Sequence, residues 1–85
     1  MSITIHRAIC KKDNRIVPIE WRVYPCSDGG VVIYPQNAVT GKKGGFGPGD
    51  TFYHLTSLAD YKRAARLCES RLLKSISRHG WHRIG

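Results

Sequence analysis

The last third of the chain, residues 56–85, most restricts how this sequence can fold. Apolar residues recur there at intervals of three and four, the spacing that places them on one face of an α-helix. This apolar stripe consists of Leu58, Tyr61, Ala65, Cys68, Leu72 and Ile76. A helix with one apolar face must bury that face against another layer, so the preceding residues are expected to supply it.

Both ends of this helix are marked by local signals. Ser57 followed by Asp60 resembles a capping box, with Asp in place of the usual Glu. Gly80 suits the left-handed position that ends a helix, and Trp81 would then pack back on Ile76. The sequence therefore predicts one long helix between Ser57 and Gly80.

Upstream of the helix, apolar and polar residues alternate as they do in half-buried strands. The strand segments are residues 2–10, 15–24 and 31–34, with a fourth short strand expected at 51–55. In the first segment, Ile3, Ile5 and Ile9 are predicted to share one side. Pro18 cannot donate a ladder hydrogen bond, so the second strand is expected to be an edge strand or to be bulged there.

These segments predict an α+β fold, a small antiparallel sheet of three to four strands with one long C-terminal helix packed across one face. The 85 residues, 41% of them hydrophobic, are enough for a single compact domain over residues 1–85. Residues 35–49 hold five of the nine glycines and are predicted to form a flexible loop. Residues 82–85 are either an exposed tail or a fifth edge segment.

The charge of the chain favours polyanionic partners, since 14 Lys and Arg against six Asp and Glu give a net charge of +8. The predicted binding residues are Arg63, Arg66, Leu67, Arg71, Lys74 and Arg78 on the helix and Lys42, Lys43 and Phe46 in the loop. A lone exposed Leu is ordinary, but Leu67 among arginines favours a protein interface. Phe46 could stack on a base or insert into a partner's pocket.

No catalytic or metal-binding pattern is apparent in the sequence. Cys10, Cys26 and Cys68 lack the paired spacing of a zinc site or a disulfide framework, so a reducing cytoplasm and no metal or cofactor are expected. No segment has the length of apolar sequence that spans a membrane, so no membrane partner is expected. One enzymatic alternative is a small ribonuclease that uses His54, beside Tyr53 and near Asp50, as a general base.

The sequence favours a small non-catalytic binding protein that docks through the basic helix face and the Gly-rich loop. Its expected partner is a nucleoprotein complex or an acidic protein surface. Small size and the lack of a catalytic site are typical of inhibitors that phages or mobile elements direct against a host defence complex, nuclease or polymerase. The first alternative is direct, weakly sequence-specific binding of DNA or RNA. The oligomeric state is not indicated.

Overall fold

The computed structural model describes residues 3–43 and 49–85, in which five strands form one antiparallel sheet and a helix crosses one of its faces. The elements are β1 (Ile3–Lys12), β2 (Arg15–Pro25), β3 (Val31–Asn37), β4 (Asp50–Phe52), α1 (Leu58–Ile76), a 3₁₀ turn (Ser77–His79) and β5 (His82–Arg83). The strand order is β4-β3-β2-β1-β5. The α+β prediction is confirmed, but the sheet has five strands instead of three to four, because residues 82–83 pair with β1.

The central strand β2 shows the alternation that its sequence predicts. Ile19 and Trp21 are fully buried under the helix, and Glu20 lies on the other side of the sheet. The strand is not an edge strand, although Pro18 suggested one. Pro18 lies just beyond Ile19 and Asn37, the last residue pair of β2 and β3, so its missing N–H removes no pairing between those two strands.

Strand β1 departs from the predicted alternation. Its register with β2 shifts between Thr4 and His6, so one additional residue is inserted in β1 at that point. Such an insertion changes which face the following side chains occupy. Ile5 is buried as predicted, but Ile3 and Ile9 are 48% and 40% exposed, and Ala8 and Cys10 fill the core.

The helix begins after Ser57 as predicted, and at its other end the 3₁₀ turn Ser77–His79 continues it to Gly80. The Ser57 hydroxyl accepts the backbone N–H of Asp60 at 3.2 Å and donates to the carboxylate of Asp60 at 2.8 Å. At the other end Gly80 has φ +87°, and the N–H of Trp81 donates to the carbonyl of Ile76. Both arrangements satisfy backbone groups that a helix end leaves without intrahelical partners.

The apolar stripe of the helix forms one half of the core. Ala65, Cys68 and Leu72 are buried against the sheet, and Tyr61 and Ile76 pack at its margins. Leu58, predicted to lie on this stripe, is exposed. It precedes Tyr61, the first helical residue that packs on the core, so its side chain lies outside the helix–sheet contact.

The region predicted as a flexible loop begins later than expected. Pro35–Asn37 continue β3 and pair with β2, so they belong to the sheet. The side-chain oxygen of Asn37 then accepts the N–H groups of Val39 and Thr40, which forms a turn. Residues 44–48 of the predicted loop, which include Phe46, lie outside the described residues.

Candidate binding surfaces

The side of α1 that faces away from the sheet, continued by the turn after it, carries exposed basic residues. Four of the predicted cations lie there, namely Arg63, Arg66, Lys74 and Arg78, and we call this set the basic helix face. None of the four forms an ion pair with another described residue. An anionic partner can therefore pair with these groups without first displacing a contact inside the described part of the protein.

Arg71 differs from the other predicted cations because it holds the helix to the edge of the sheet. Its guanidinium lies 3.0 Å from a carboxylate oxygen of Asp50 in β4. Burial, followed by a hydrogen bond to Asp50, raises the pKa of the neighbouring Cys68 thiol to about 12. The ion pair with Asp50 connects α1 to β4. It also partly neutralises the Arg71 charge that a partner would meet, unlike the charges of the basic helix face.

An apolar groove adjoins the basic helix face, and Leu67 is one of the residues that line it. The groove has a volume of about 360 Å³ and lies between the first half of α1 and the segment after β4. It is lined by Phe52, Leu55, Asp60, Arg63, Ala64 and Leu67. Leu67 remains 46% exposed at its margin. The sequence indicated an exposed Leu among cations, and the fold adds Phe52 and Leu55 beside it.

The groove contains two charged residues, Asp60 and Arg63, and the Asp60 carboxylate already accepts a hydrogen bond. The Asp60 carboxylate accepts the hydroxyl of Ser57 at 2.8 Å, and this bond is the main reason that the pKa of Asp60 is lowered. Arg63 forms no hydrogen bond or ion pair with another described residue, but its positive charge is a further, smaller cause of the lowered pKa of Asp60. The groove therefore presents an apolar interior with Arg63 and the ionised Asp60 at its margin, and Arg63 continues into the basic helix face, which suits an apolar side chain with a carboxylate on that side.

The predicted loop residue Lys43 lies on the opposite side of the sheet. Its ammonium group is 4.0 Å from the ring centre of Tyr24 and 4.8 Å from that of Tyr34. These two rings project from β2 and β3 on the face that α1 does not cover, which we call the open face. Gly49 also approaches this face, since a Cβ there would lie 2.7 Å from the Tyr34 ring.

The predicted binding residues therefore form two surfaces. The basic helix face lies outside the helix, and Lys43 lies beyond the sheet on its open face. A helix packed on a sheet separates the two surfaces by the thickness of two layers. Lys42 is exposed in the same turn as Lys43, where its carbonyl accepts the N–H of Asn37. One small ligand cannot contact both surfaces, although the sequence grouped them as one site.

The open face also carries a hydrogen-bonded network that the sequence analysis did not identify. The Tyr24 hydroxyl donates to the Gln36 side chain at 2.8 Å, and Gln36 donates to the Glu20 carboxylate at 3.2 Å. Thr4 and Arg22 donate to the same carboxylate. In the sequence, Glu20, Arg22 and Tyr24 alternate with the buried residues of β2, and this pattern could have predicted a polar face on that side of the sheet. The network holds the Tyr24 hydroxyl in position through Gln36, whose side chain is itself fixed by the buried Glu20 carboxylate.

Glu69 is a second buried acid whose role was not predicted. Its carboxylate pairs with His6 of β1 and with Arg83 of β5, the latter at 3.1 Å. The acid itself is only 6% exposed. Burial, and then the charge of Glu69, raises the pKa of the neighbouring Cys10 thiol. The cluster joins β1, α1 and β5, and Cys10 is kept in its less nucleophilic protonated form.

Two of the three residues named for the enzymatic alternative are hydrogen-bonded to residues other than His54. His54 is exposed with a φ of +65°, whereas the Asp50 carboxylate accepts from Arg71 and the Tyr53 hydroxyl donates to Asp28. Within residues 3–43 and 49–85, no group of three or more His, Cys, Asp and Glu residues lies together as metal ligands would.

Comparisons of the chain with protein-family models, with curated proteins and with solved structures found no match. In the part of the chain that the structure describes, no helix combines the length and the apolar character needed to cross a membrane.

Proposed function

We propose that the protein is a non-catalytic binding protein that docks through the basic helix face and the adjoining groove onto an acidic protein surface. The observation that carries this proposal is the apolar groove of Leu67, Phe52 and Leu55 beside basic residues that form no ion pair with any described residue. Phosphate recognition requires cations but has no use for an apolar groove. Protein interfaces combine a buried apolar anchor with arginine and a charged rim.

The groove supports a specific kind of contact. Its volume of about 360 Å³ is sufficient for one or two large side chains of a partner. Arg63 at the groove and Lys74 further along the helix would then pair with carboxylates on either side of that anchor. Charge complementarity would accelerate association and fix the orientation, whereas the anchor would supply most of the affinity.

A defined probe can test this proposal before the natural partner is known. The probe is a short glutamate-rich peptide with one central leucine, compared with the same peptide carrying alanine at the centre. We expect the leucine peptide to bind more tightly and to shift the amide resonances of Phe52, Leu67 and their neighbours. Lys74→Glu and Leu67→Ser should each weaken binding about tenfold, since an anchor or a paired charge contributes roughly 1–2 kcal/mol.

Lys42→Glu is the matched control because it makes the same charge change on the other side of the molecule. It should leave peptide affinity within about twofold, given that distant exposed charges are screened by salt. Equal loss in Lys42→Glu and Lys74→Glu would show that net charge alone drives binding and would contradict the proposal. Tight binding of duplex DNA through Lys74, with no preference for the leucine peptide, would favour direct nucleic-acid binding instead.

An inhibitor of a host defence complex, nuclease or polymerase would act by stoichiometric docking of this kind. We predict that a phage or mobile element encodes the protein, because the chain is small and its sequence shows no catalytic pattern. Capture from bacterial lysate, with and without nuclease treatment, would identify the partner and show whether a nucleoprotein is required. Loss of the captured partner in the Lys74→Glu variant would connect it to the basic helix face.

A further inference from the structure

We propose that the open face of the sheet binds a short stretch of single-stranded nucleic acid, with Tyr24 and Tyr34 as the stacking platform. This second site goes beyond the proposed docking function, since it lies on the other side of the sheet and shares no residue with the basic helix face. It rests on three observations: the pair of tyrosines, the charges around them, and the position of Lys43.

The first observation is the geometry of the two rings. Tyr24 and Tyr34 project from neighbouring strands with their ring centres 5.7 Å apart and their planes at 75°. Both are half-buried, so part of each ring meets solvent. The bond from Tyr24 to Gln36 holds one ring in place. Aromatic rings on a sheet surface are a general means of stacking the unpaired bases of single strands.

The second observation is the charge of the open face. The strand register places Arg22 opposite Tyr34 and Arg7 opposite Glu20 on this face, and Lys43 reaches it from the turn after β3. Glu20 is the only acidic residue in β1, β2 and β3, and three donors already bind its carboxylate. A surface with two cations beside a pair of aromatic rings, and a third further along the sheet, complements a strand that alternates phosphates with bases.

The third observation concerns what the tyrosines contact in the free protein. The Lys43 ammonium lies over both rings, in the place where a base would stack. A cation–π contact at a partly exposed site is weaker than the stacking of a base on an aromatic ring. A base can therefore displace the ammonium group, which is then available to pair with the adjacent phosphate. Lys43 would exchange one favourable contact for another as the strand binds.

The test measures binding of a fluorescently labelled oligothymidylate, a strand with little structure of its own, by anisotropy at low salt. We expect saturable binding and weaker binding of a duplex of the same length. With two or three phosphate contacts, log affinity should fall with log salt at a slope of about −1.4 to −2.1. No binding at low salt, or equal binding of the duplex, would overturn the proposal.

Matched variants locate the site. Tyr34→Phe keeps the ring and should bind within about twofold of the unchanged protein, whereas Tyr34→Leu should lose about tenfold in affinity. Lys43→Ala should reduce the salt slope by about 0.7. Lys74→Ala removes the same charge from the basic helix face and should leave both affinity and slope unchanged. Equal binding by Tyr34→Leu and Tyr34→Phe, both folded, would overturn the assignment to the tyrosines.

A second measurement keeps the proposal testable if Tyr34→Leu does not fold. In the unchanged protein, the oligothymidylate should shift the ring proton resonances of Tyr24 and Tyr34, because stacked bases produce large ring-current shifts. Shifts confined to Arg66, Lys74 and their neighbours would place the strand on the helix and overturn the proposal. Failure of the acidic peptide to bind would contradict the docking function but leave this result unaffected.

Discussion

At the scale of single residues, the three cysteines differ in their surroundings more than in their sequence context. Cys10 and Cys68 are buried, and burial is the largest cause that raises the pKa of each thiol. Cys26 lies in the turn after β2 and is half-exposed. Because the thiolate is the reactive form, the fold protects two of the three thiols by keeping them covered and protonated.

We therefore expect only Cys26 to react rapidly with a thiol reagent in the native protein at pH 8. Cys10 and Cys68 should react only after unfolding, since a raised pKa leaves little thiolate at that pH. The measurement is the time course of thiol titration, with and without denaturant, and Cys26→Ser is the control that removes the rapid phase. Rapid modification of all three thiols in the folded protein would contradict this prediction.

Glu69 illustrates how one buried carboxylate can depend on residues far away in the chain. Its partners, His6 and Arg83, lie near opposite ends of the sequence. Glu69→Ala removes the shared acceptor and leaves both partners without it. We expect a loss of about 3 kcal/mol in the free energy of unfolding, because breaking a buried ion pair is strongly destabilising.

Denaturant unfolding followed by the fluorescence of buried Trp21 would measure the Glu69→Ala effect. The control is Ser70→Ala at the next, exposed position, which should change stability by less than about 0.5 kcal/mol. Equal effects of the two substitutions would show that the cluster contributes nothing specific to stability.

At the scale of elements, α1 has one face that is buried against the sheet and one face that is exposed to solvent. The inner face packs on the sheet through Ala65, Cys68 and Leu72, and the outer face carries the groove margin and the basic residues. If the outer face docks onto a partner as proposed, substitutions on the two faces should alter stability and binding independently. Leu72 and Leu67 are the clearest pair for comparison because they are the same residue type on opposite sides of one helix.

We expect Leu72→Ala to lower the free energy of unfolding by about 2–5 kcal/mol, since it removes buried methyl groups and leaves a cavity. Leu67→Ala should cost less than about 1 kcal/mol because its side chain is already half exposed. Acidic-peptide binding should weaken only in Leu67→Ala when both variants are measured at a temperature where they are folded. A reversed order of the two stability changes would contradict the assigned faces.

At the scale of the whole molecule, the sheet is the layer that separates the two proposed surfaces. The basic helix face and groove lie on one side, and Tyr24, Tyr34 and Lys43 lie on the other. They share no residue, and no described ion pair joins them. Two partners could therefore occupy the protein together, as a nucleoprotein complex would require.

We accordingly expect the acidic peptide and the oligothymidylate to bind with little coupling. Saturation with one should change the dissociation constant of the other by less than about twofold at physiological salt, where charges across the molecule are largely screened. Isothermal titration with and without the second ligand is the measurement. Competition between them, with each excluding the other, would show that both use one surface.

The sequence alone determined the features that depend on near neighbours. The caps at Ser57 and Gly80, the stripe that buries Leu72, and the alternation of Ile19 and Trp21 all follow from contacts within a few residues. Local sequence is sufficient for such features because propensity, capping and periodicity act over one or two turns or strand repeats. The α+β class followed from these elements together.

Only the tertiary structure decided how distant residues meet. It set the bulge that exposes Ile9, the pairing of β5 with β1, and the burial of Glu69 between His6 and Arg83. It also divided the predicted binding residues between two faces, which no spacing in the chain could show. Strand register and layer packing are set by contacts between residues far apart in sequence, so local patterns leave them open.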